Sequence, residues 1–146
     1  MTTQPAERSE GHAPFEGDLI RLRAVEQSDV EWVNAHFWNP NVTRYLEAVW
    51  PESLAGTEAF VASARASQTS AYFLIETLTG DPVGACSLDG IDARTRAAEL
   101  GIWIDEEHWN EGLGTDAVRT LCRFGFREMN LYRIELHVFD FNERGM

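Results

Sequence analysis

Two glycines one residue apart, Gly112 and Gly114, separate a β-rich apolar run from an amphipathic stretch within Trp109-Asn-Glu-Gly-Leu-Gly-Thr115. The first turn of a helix leaves backbone N–H groups without internal partners, and the helix dipole adds partial positive charge there. Glycines at such an entry let a ligand approach the backbone closely, so a strand–glycine–helix unit suits a phosphate. The same pair also suits a plain turn, and the glycines alone do not choose between the two. Other chemistry is sparse. Cys86 and Cys122 fall in apolar contexts without C-x-x-C or metal-ligand spacing, which reads as buried reduced thiols. His12, His36, His108 and His137 are scattered, so no metal site is expected. Asp105-Glu-Glu107 either attracts a cationic group or is a solvated turn, and His108 beside it is either part of that site or an exposed loop histidine.

The glycines need elements to hold them. Ala97 to Ile104 reads as a strand that stops at Asp105, and Leu113 to about Met129 as a helix. Leu113, Ala117, Val118, Leu121, Phe124 and Gly125 form the helix face that must pack on a sheet. Tyr132 to Phe139 alternates strictly and is a strand. One helical crossover between the strands 97–104 and 132–139 makes them parallel. Upstream, Leu19–Arg23 suits a half-exposed strand, and Ser28 or Asp29 can cap a helix to Phe37 that faces inward through Val30, Val33 and Phe37. A turn cluster at Phe37–Asn41 leads to Leu54–Ser67, a second helix with a stripe of Ala55, Ala59, Phe60 and Ala64. Tyr72–Leu78 and Val83–Leu88 flank Thr79-Gly-Asp-Pro82 as a hairpin, and Asp89–Arg96 is a polar connection. The order β-α-α-β-β-β-α-β is an α+β (mixed α/β) domain: an antiparallel meander with a parallel strand pair. The aromatics from Phe37 to Trp50 either roof its core or line a substrate pocket.

The chain has 146 residues and a net charge of −12, and all 12 of its basic residues are arginine. That balance disfavours nucleic acid, because phosphate neutralisation needs basic side chains. It favours cationic substrates such as polyamines or basic N-termini, or else reflects the host and not the substrate. Residues 18–146 form one domain after a polar, flexible tail of residues 1–17. No run reaches the roughly 20 apolar residues a bilayer span needs, so no membrane partner is expected. The tail lacks the order of a secretory signal, which places the protein in the cytoplasm.

Taken together, the order of elements, Glu99-Leu-Gly-Ile-Trp-Ile104, the Trp109–Thr115 loop, Phe124-Gly-Phe126, Asn130-Leu-Tyr-Arg-Ile134 and Phe141-Asn142 resemble the GNAT acetyltransferase superfamily. Within it, the RimJ/RimL-like branch, which acetylates ribosomal proteins and polyamines, is the most similar group. The resemblance spans Leu19 to the end. It departs from the superfamily loop Gln/Arg-x-x-Gly-x-Gly/Ala at Trp109, and Glu111 and Asp116 are acidic where such loops are often basic. It implies acetyl-CoA as donor, no metal, and a small-molecule or peptide amine as acceptor. Backbone amides of Asn110, Glu111, Gly112, Leu113, Gly114 and Thr115 would hold the pyrophosphate. The pantetheine arm would pair like an added strand near Trp103 and Ile104, between strands that splay apart, with Asn142 contacting the arm.

Acyl transfer to an amine needs a neutral amine, a donor to the developing oxyanion and a proton for the leaving thiolate. Glu99 is the candidate base, acting through water. The competing reading is a strand carboxylate paired with Arg94, Arg96 or Arg133. A backbone N–H at Trp103 or Ile104 would serve the oxyanion. The family's acid is a tyrosine on a helix after the position of Asn142, and this chain stops at Arg144-Gly145-Met146. Neither Tyr45, Tyr72 nor Tyr132 matches it. The expectation is a domain that lacks its C-terminal helix and last strands, with impaired turnover as it stands, or one completed by strand exchange in a homodimer. A catalytically inactive acyl-CoA-binding or interaction module is the alternative function.

Overall fold

The structure is a computed structural model that describes residues 14–44, 46 and 51–136. Five strands occur in it: β1 (Ile20–Ala24), β2 (Ala71–Thr77), β3 (Pro82–Asp92), β4 (Ala97–Ile104) and β5 (Arg133–Leu136). The helices are α1 (Val30–Phe37), α2 (Pro40–Thr43), α3 (Leu54–Ala66) and α4 (Leu113–Arg127), with 3-10 turns at Gln27–Asp29 and Glu106–His108. The strands lie in sequence order in one sheet. β1 to β4 pair antiparallel and β4 pairs parallel with β5, which is the meander and crossover expected.

Side chains alternate across a strand, so neighbouring residues feed opposite faces. Ile75, Cys86 and Ile102 pack with Leu113, Ala117 and Leu121 of α4 on one face. Their neighbours Leu74, Ala85 and Trp103 pack with Val30 and Val33 of α1 and Val61 of α3 on the other. The sheet is thus covered on both sides, by α4 on one face and by α1 and α3 on the other. No helix among the described residues is long and apolar enough to cross a membrane.

Three local expectations change. The Phe37–Asn41 turn continues into the one-turn helix α2, whose start is capped by the Asn39 side chain accepting from the Asn41 N–H. Pro40 suits the first position, where its missing N–H is no loss. The first half of the polar connection is strand, since β3 runs on to Asp92. The turn behind it closes on Asp92, whose Oδ1 accepts from the backbone of Arg94 and Thr95. On α3 the buried residues are Thr57 and Val61, whereas Ala55, Ala59 and Phe60 are exposed. The Thr57 hydroxyl donates to Asn34 Oδ1 of α1 at 2.5 Å, and Val61, one turn on, is buried in the core, so this face and not the alanine stripe turns inward. Phe60 meets Tyr72 edge-on, with ring centroids 5.3 Å apart.

A charged network ties β1, β2 and the start of α1. Glu76, 6% exposed, accepts from Arg21 Nε at 2.9 Å and Arg23 Nε at 2.8 Å. Arg23 also donates to both oxygens of Asp29, at 2.8 and 2.9 Å. Burial opposes the charge on Glu76, but the bonds from Arg23 and Arg21 outweigh it and hold the carboxyl below its ordinary value. The Arg23 bond lowers Asp29 more than burial raises it. Both carboxylates are depressed on folding, so their stabilisation is present above the unfolded pKa of about 4 and is lost as pH falls through the folded values. Urea denaturation at stepped pH values from 7 to 3 should show the gap between wild type and Arg23→Gln shrinking below about pH 4. A gap constant across the range would contradict this.

Candidate active site

β4 has two edges, and its backbone groups alternate between them. The Asp105 N–H donates to the Val83 carbonyl of β3 at 2.8 Å, so the odd-numbered residues 101 and 103 also turn their amides to β3. The even-numbered residues face β5. Consistently, the Arg96 carbonyl accepts from the backbone of Tyr132 and Arg133, just before and at the start of β5. Described pairing with β5 runs from Ala97 to Leu100, opposite Arg133 to Leu136. Past it, the outward groups of β4 belong to Ile102 and Ile104. The Ile104 carbonyl is taken by the Trp109 indole Nε1–H, at 2.8 Å. The Ile102 amide and carbonyl and the Ile104 amide therefore face the edge where an extended ligand could pair.

The loop after β4 is shaped for close approach. Asn110 and Gly112 both adopt the left-handed conformation, with φ of 66° and 81°. Asparagine tolerates that region and glycine is at ease in it. Gly112 is the N-cap of α4 and has no side chain to occupy the freed amides of the first turn. Gly114 follows in helical backbone, where a Cβ would lie 3.5 Å from Ile104 Cγ1, an ordinary contact. The protein itself would accept a methyl group there. Leu113, Ala117 and Leu121, all buried, anchor α4 to the sheet and so fix the loop at the end of β4.

Between the edge of β4 and the start of α4 lies a cavity of about 640 Å³. Its wall includes Trp103, Ile104, Asn110, Gly112, Leu113, Gly114 and Thr115, which the sequence had singled out for the cofactor. Of the two amides considered as oxyanion donors, that of Trp103 is turned to β3 and that of Ile104 faces the β5 side, past the described pairing. The Glu111 side chain lies outside the wall and approaches His108 Nδ1 at 3.4 Å. Asn142 lies outside the described residues, as do Tyr45, Trp50 and residues 137–139 of the expected strand. The wall also contains Ile102, Val118, Arg119 and Leu136, none of them anticipated. Arg119 had a legible signal: it stands four residues after Thr115, on the same helix face.

Glu99 is exposed and is not part of the cavity wall. Its register partners are Asp89 on β3 and Glu135 on β5, so three carboxylates stand in a row across the sheet. Among the described residues Glu99 makes no ion pair. The arginines considered as partners are engaged elsewhere or apart: Arg133 pairs with Glu135 at 3.0 Å, and Arg96 lies against Asn130 and Tyr132. Glu99 shares its face with Gly101 and Trp103, and the Ser87 hydroxyl, which donates to Asp89 at 2.6 Å, lies beside Gly101.

The acidic residues near the loop divide. Asp116 is buried and accepts from the backbone N–H groups of Asp18, Leu19 and Ile20, so it faces β1 and not the cavity. Its charge belongs to the packing of α4 on β1. Glu106 is held by the amides of Asn39 and Asn41, at 2.8 and 3.0 Å. Trp32 is stacked between His36 and Trp103, at 4.4 and 5.7 Å, and Phe37 meets Trp103 edge-on. These described aromatics roof the second core cluster, and through Trp103 and Trp109 that cluster reaches the cavity wall. Tyr72 lies on the same face, and burial pushes its hydroxyl up to about 12. Burial likewise raises the thiols of Cys86 and Cys122, which remain unpaired.

Comparisons with known proteins agree with this geometry. The acetyltransferase (GNAT) domain profile matches residues 20–145. Spermidine N(1)-acetyltransferase of Escherichia coli K12 is 31% identical over 133 residues, covering 87% of this chain and 68% of its own. An uncharacterized N-acetyltransferase, p20 of Bacillus licheniformis, is 26% identical over 125 residues, covering 83% and 70%. Among solved structures, spermidine N-acetyltransferase from Vibrio cholerae, in complex with CoA and spermine, superposes with a TM-score of 0.81 at 25% identity, covering 86% and 75%. With a matching domain over most of its length, the mixed five-stranded sheet and the glycine loop at the end of β4, the chain belongs to the GNAT acetyltransferase family and is an acetyl-CoA-dependent N-acetyltransferase.

Proposed function

We propose that the chain transfers the acetyl group to a cationic polyamine, as a member of the RimJ/RimL-like branch. The observation that carries the choice of acceptor is the row Asp89, Glu99, Glu135, set across three neighbouring strands, the middle one being β4, which also supplies Trp103 and Ile104 to the cavity wall. A linear polycation meets such a row with several charges at once, whereas a single amine meets it with one. The relatives that act on spermidine support the same choice.

Acetyl-CoA supplies a thioester carbonyl that an amine can attack directly. The amides from Asn110 to Thr115 bind its pyrophosphate at the N-terminus of α4. The absence of side chains at Gly112 and Gly114 gives the phosphates access to that backbone, and Ile102 and Ile104 offer the strand edge to the pantetheine arm. The Ile104 N–H is the donor for the oxyanion, because it is the last outward amide before the loop. Glu99 removes the amine's proton through water; collapse of the tetrahedral intermediate then breaks the C–S bond, and CoA leaves as a thiolate that takes its proton from solvent.

Thiol release with acetyl-CoA and a panel of amines tests the acceptor. Spermidine and spermine should exceed a short monoamine by at least about tenfold in kcat/KM, which corresponds to about 1.4 kcal/mol. A preference for peptide N-termini would refute the polyamine reading, and thiol release with no amine would refute transfer. Glu99→Gln should lower kcat with polyamine by about 100-fold while leaving calorimetric acetyl-CoA affinity unchanged. A rise in KM at constant kcat would make Glu99 an acceptor-binding group and not a base.

A further inference from the structure

We infer that Arg119 is the cation that distinguishes CoA from its dephospho form, by pairing with the ribose 3′-phosphate. This rests on the cofactor reading of the cavity.

Arg119 lines the cavity, is exposed at its mouth, and makes no hydrogen bond or ion pair among the described residues. By contrast, Arg21, Arg23, Arg123 and Arg133 are each tied to a carboxylate or a carbonyl. Of the cavity's lining residues it is the one with a permanent positive charge, in a chain of net charge −12. It stands one turn beyond Thr115, about 6 Å further along the helix axis. Helical side chains lean toward the N-terminus, so the guanidinium reaches back over Thr115 toward the glycine loop.

The amides of the first turn suffice for the pyrophosphate, whose charge sits against the helix dipole. The remaining phosphate of CoA is the 3′-phosphate on the adjoining ribose, a dianion for most molecules at neutral pH. A planar guanidinium with free donors matches its oxygens in a fork. The pair is solvent-exposed, so the expected effect is modest and salt-dependent.

The test is calorimetric titration of the full chain with CoA and with dephospho-CoA, for wild type, Arg119→Gln and Arg119→Lys. Wild type should bind CoA about fivefold more tightly than dephospho-CoA. Arg119→Gln should bind both with the affinity wild type has for dephospho-CoA, and Arg119→Lys should keep part of the difference. Equal weakening toward both ligands would place Arg119 on the pyrophosphate and overturn the inference. So would a wild type without preference, or a preference that survives in Arg119→Gln. Failure of the cofactor reading looks different: wild type would bind neither ligand saturably.

Discussion

Replacing Asp116 with alanine is expected to lower the melting temperature by about 12 °C, from a loss of about 4 kcal/mol at roughly 3 °C per kcal/mol for a domain of this size. The carboxylate takes Leu19 N–H at 2.8 Å and Ile20 N–H at 3.0 Å on Oδ2, and Asp18 N–H at 3.2 Å on Oδ1. Removing it strands these donors where β1 enters the sheet, and Ile20 is fully buried. Asp116→Asn should lose about half as much, because an amide oxygen in the Oδ2 place keeps the two shorter bonds and only the third is exchanged for a repulsion. The space is tight as well. A Cβ on Gly17 would fall on Asp116 Oδ2 and lie 2.6 Å from Thr120 Oγ1, so Gly17→Ala should destabilise in the same direction. Thermal melts of the three variants check this. Calorimetry checks the electrostatic corollary: Asp116→Ala should change acetyl-CoA affinity less than about twofold, since its charge does not face the phosphates. A large gain in affinity would show that Asp116 belongs to the loop's electrostatics after all.

Asp116 also shows where sequence reasoning stops. Its partners lie 96 to 98 residues away, and nothing local marks an aspartate in a first helical turn as anything but a charge near the dipole. The features that were legible are those set by neighbours in the chain. Strand β4 ends at Ile104, where the β-rich run Glu99–Ile104 gives way to Asp105, and the glycines of the loop mark the turn that the φ of 81° at Gly112 makes. Local periodicity found α3 but misplaced its inner face, because the weak alanine stripe lost to the burial of Val61 and the hydrogen bond from Thr57 to Asn34. The cavity was half legible. Its glycines are a local motif, but the bond from the Trp109 indole to the Ile104 carbonyl depends on how the 3-10 turn at Glu106–His108 folds the chain back. That bond also explains what a tryptophan does at the first position of the loop: it satisfies an outward carbonyl at the end of β4.

Gly114→Leu is expected to weaken acetyl-CoA binding by at least about 100-fold, or about 2.7 kcal/mol, without loss of stability. The two halves of that statement rest on different observations. The backbone of Gly114 is helical, and a Cβ would lie 3.5 Å from Ile104 Cγ1, so the first carbon of a side chain fits. Leucine also exceeds glycine in helix propensity by about 0.5–1 kcal/mol, which would raise the melting temperature by about 2 °C. Its outer carbons, however, must enter the 640 Å³ cavity that Gly114 lines, across the amides proposed for the pyrophosphate. Gly112→Ala is the contrasting case. Its φ of 81° costs a side chain about 1–2 kcal/mol, so stability and affinity should fall together. Calorimetry and thermal melts on both variants separate the two glycines. A Gly114→Leu protein that binds acetyl-CoA like wild type would move the phosphates away from α4. One that melts early would mean that Gly114 is there for packing against β4. A variant that is more stable and no longer binds would show that the glycine is retained for the ligand at a cost to the fold.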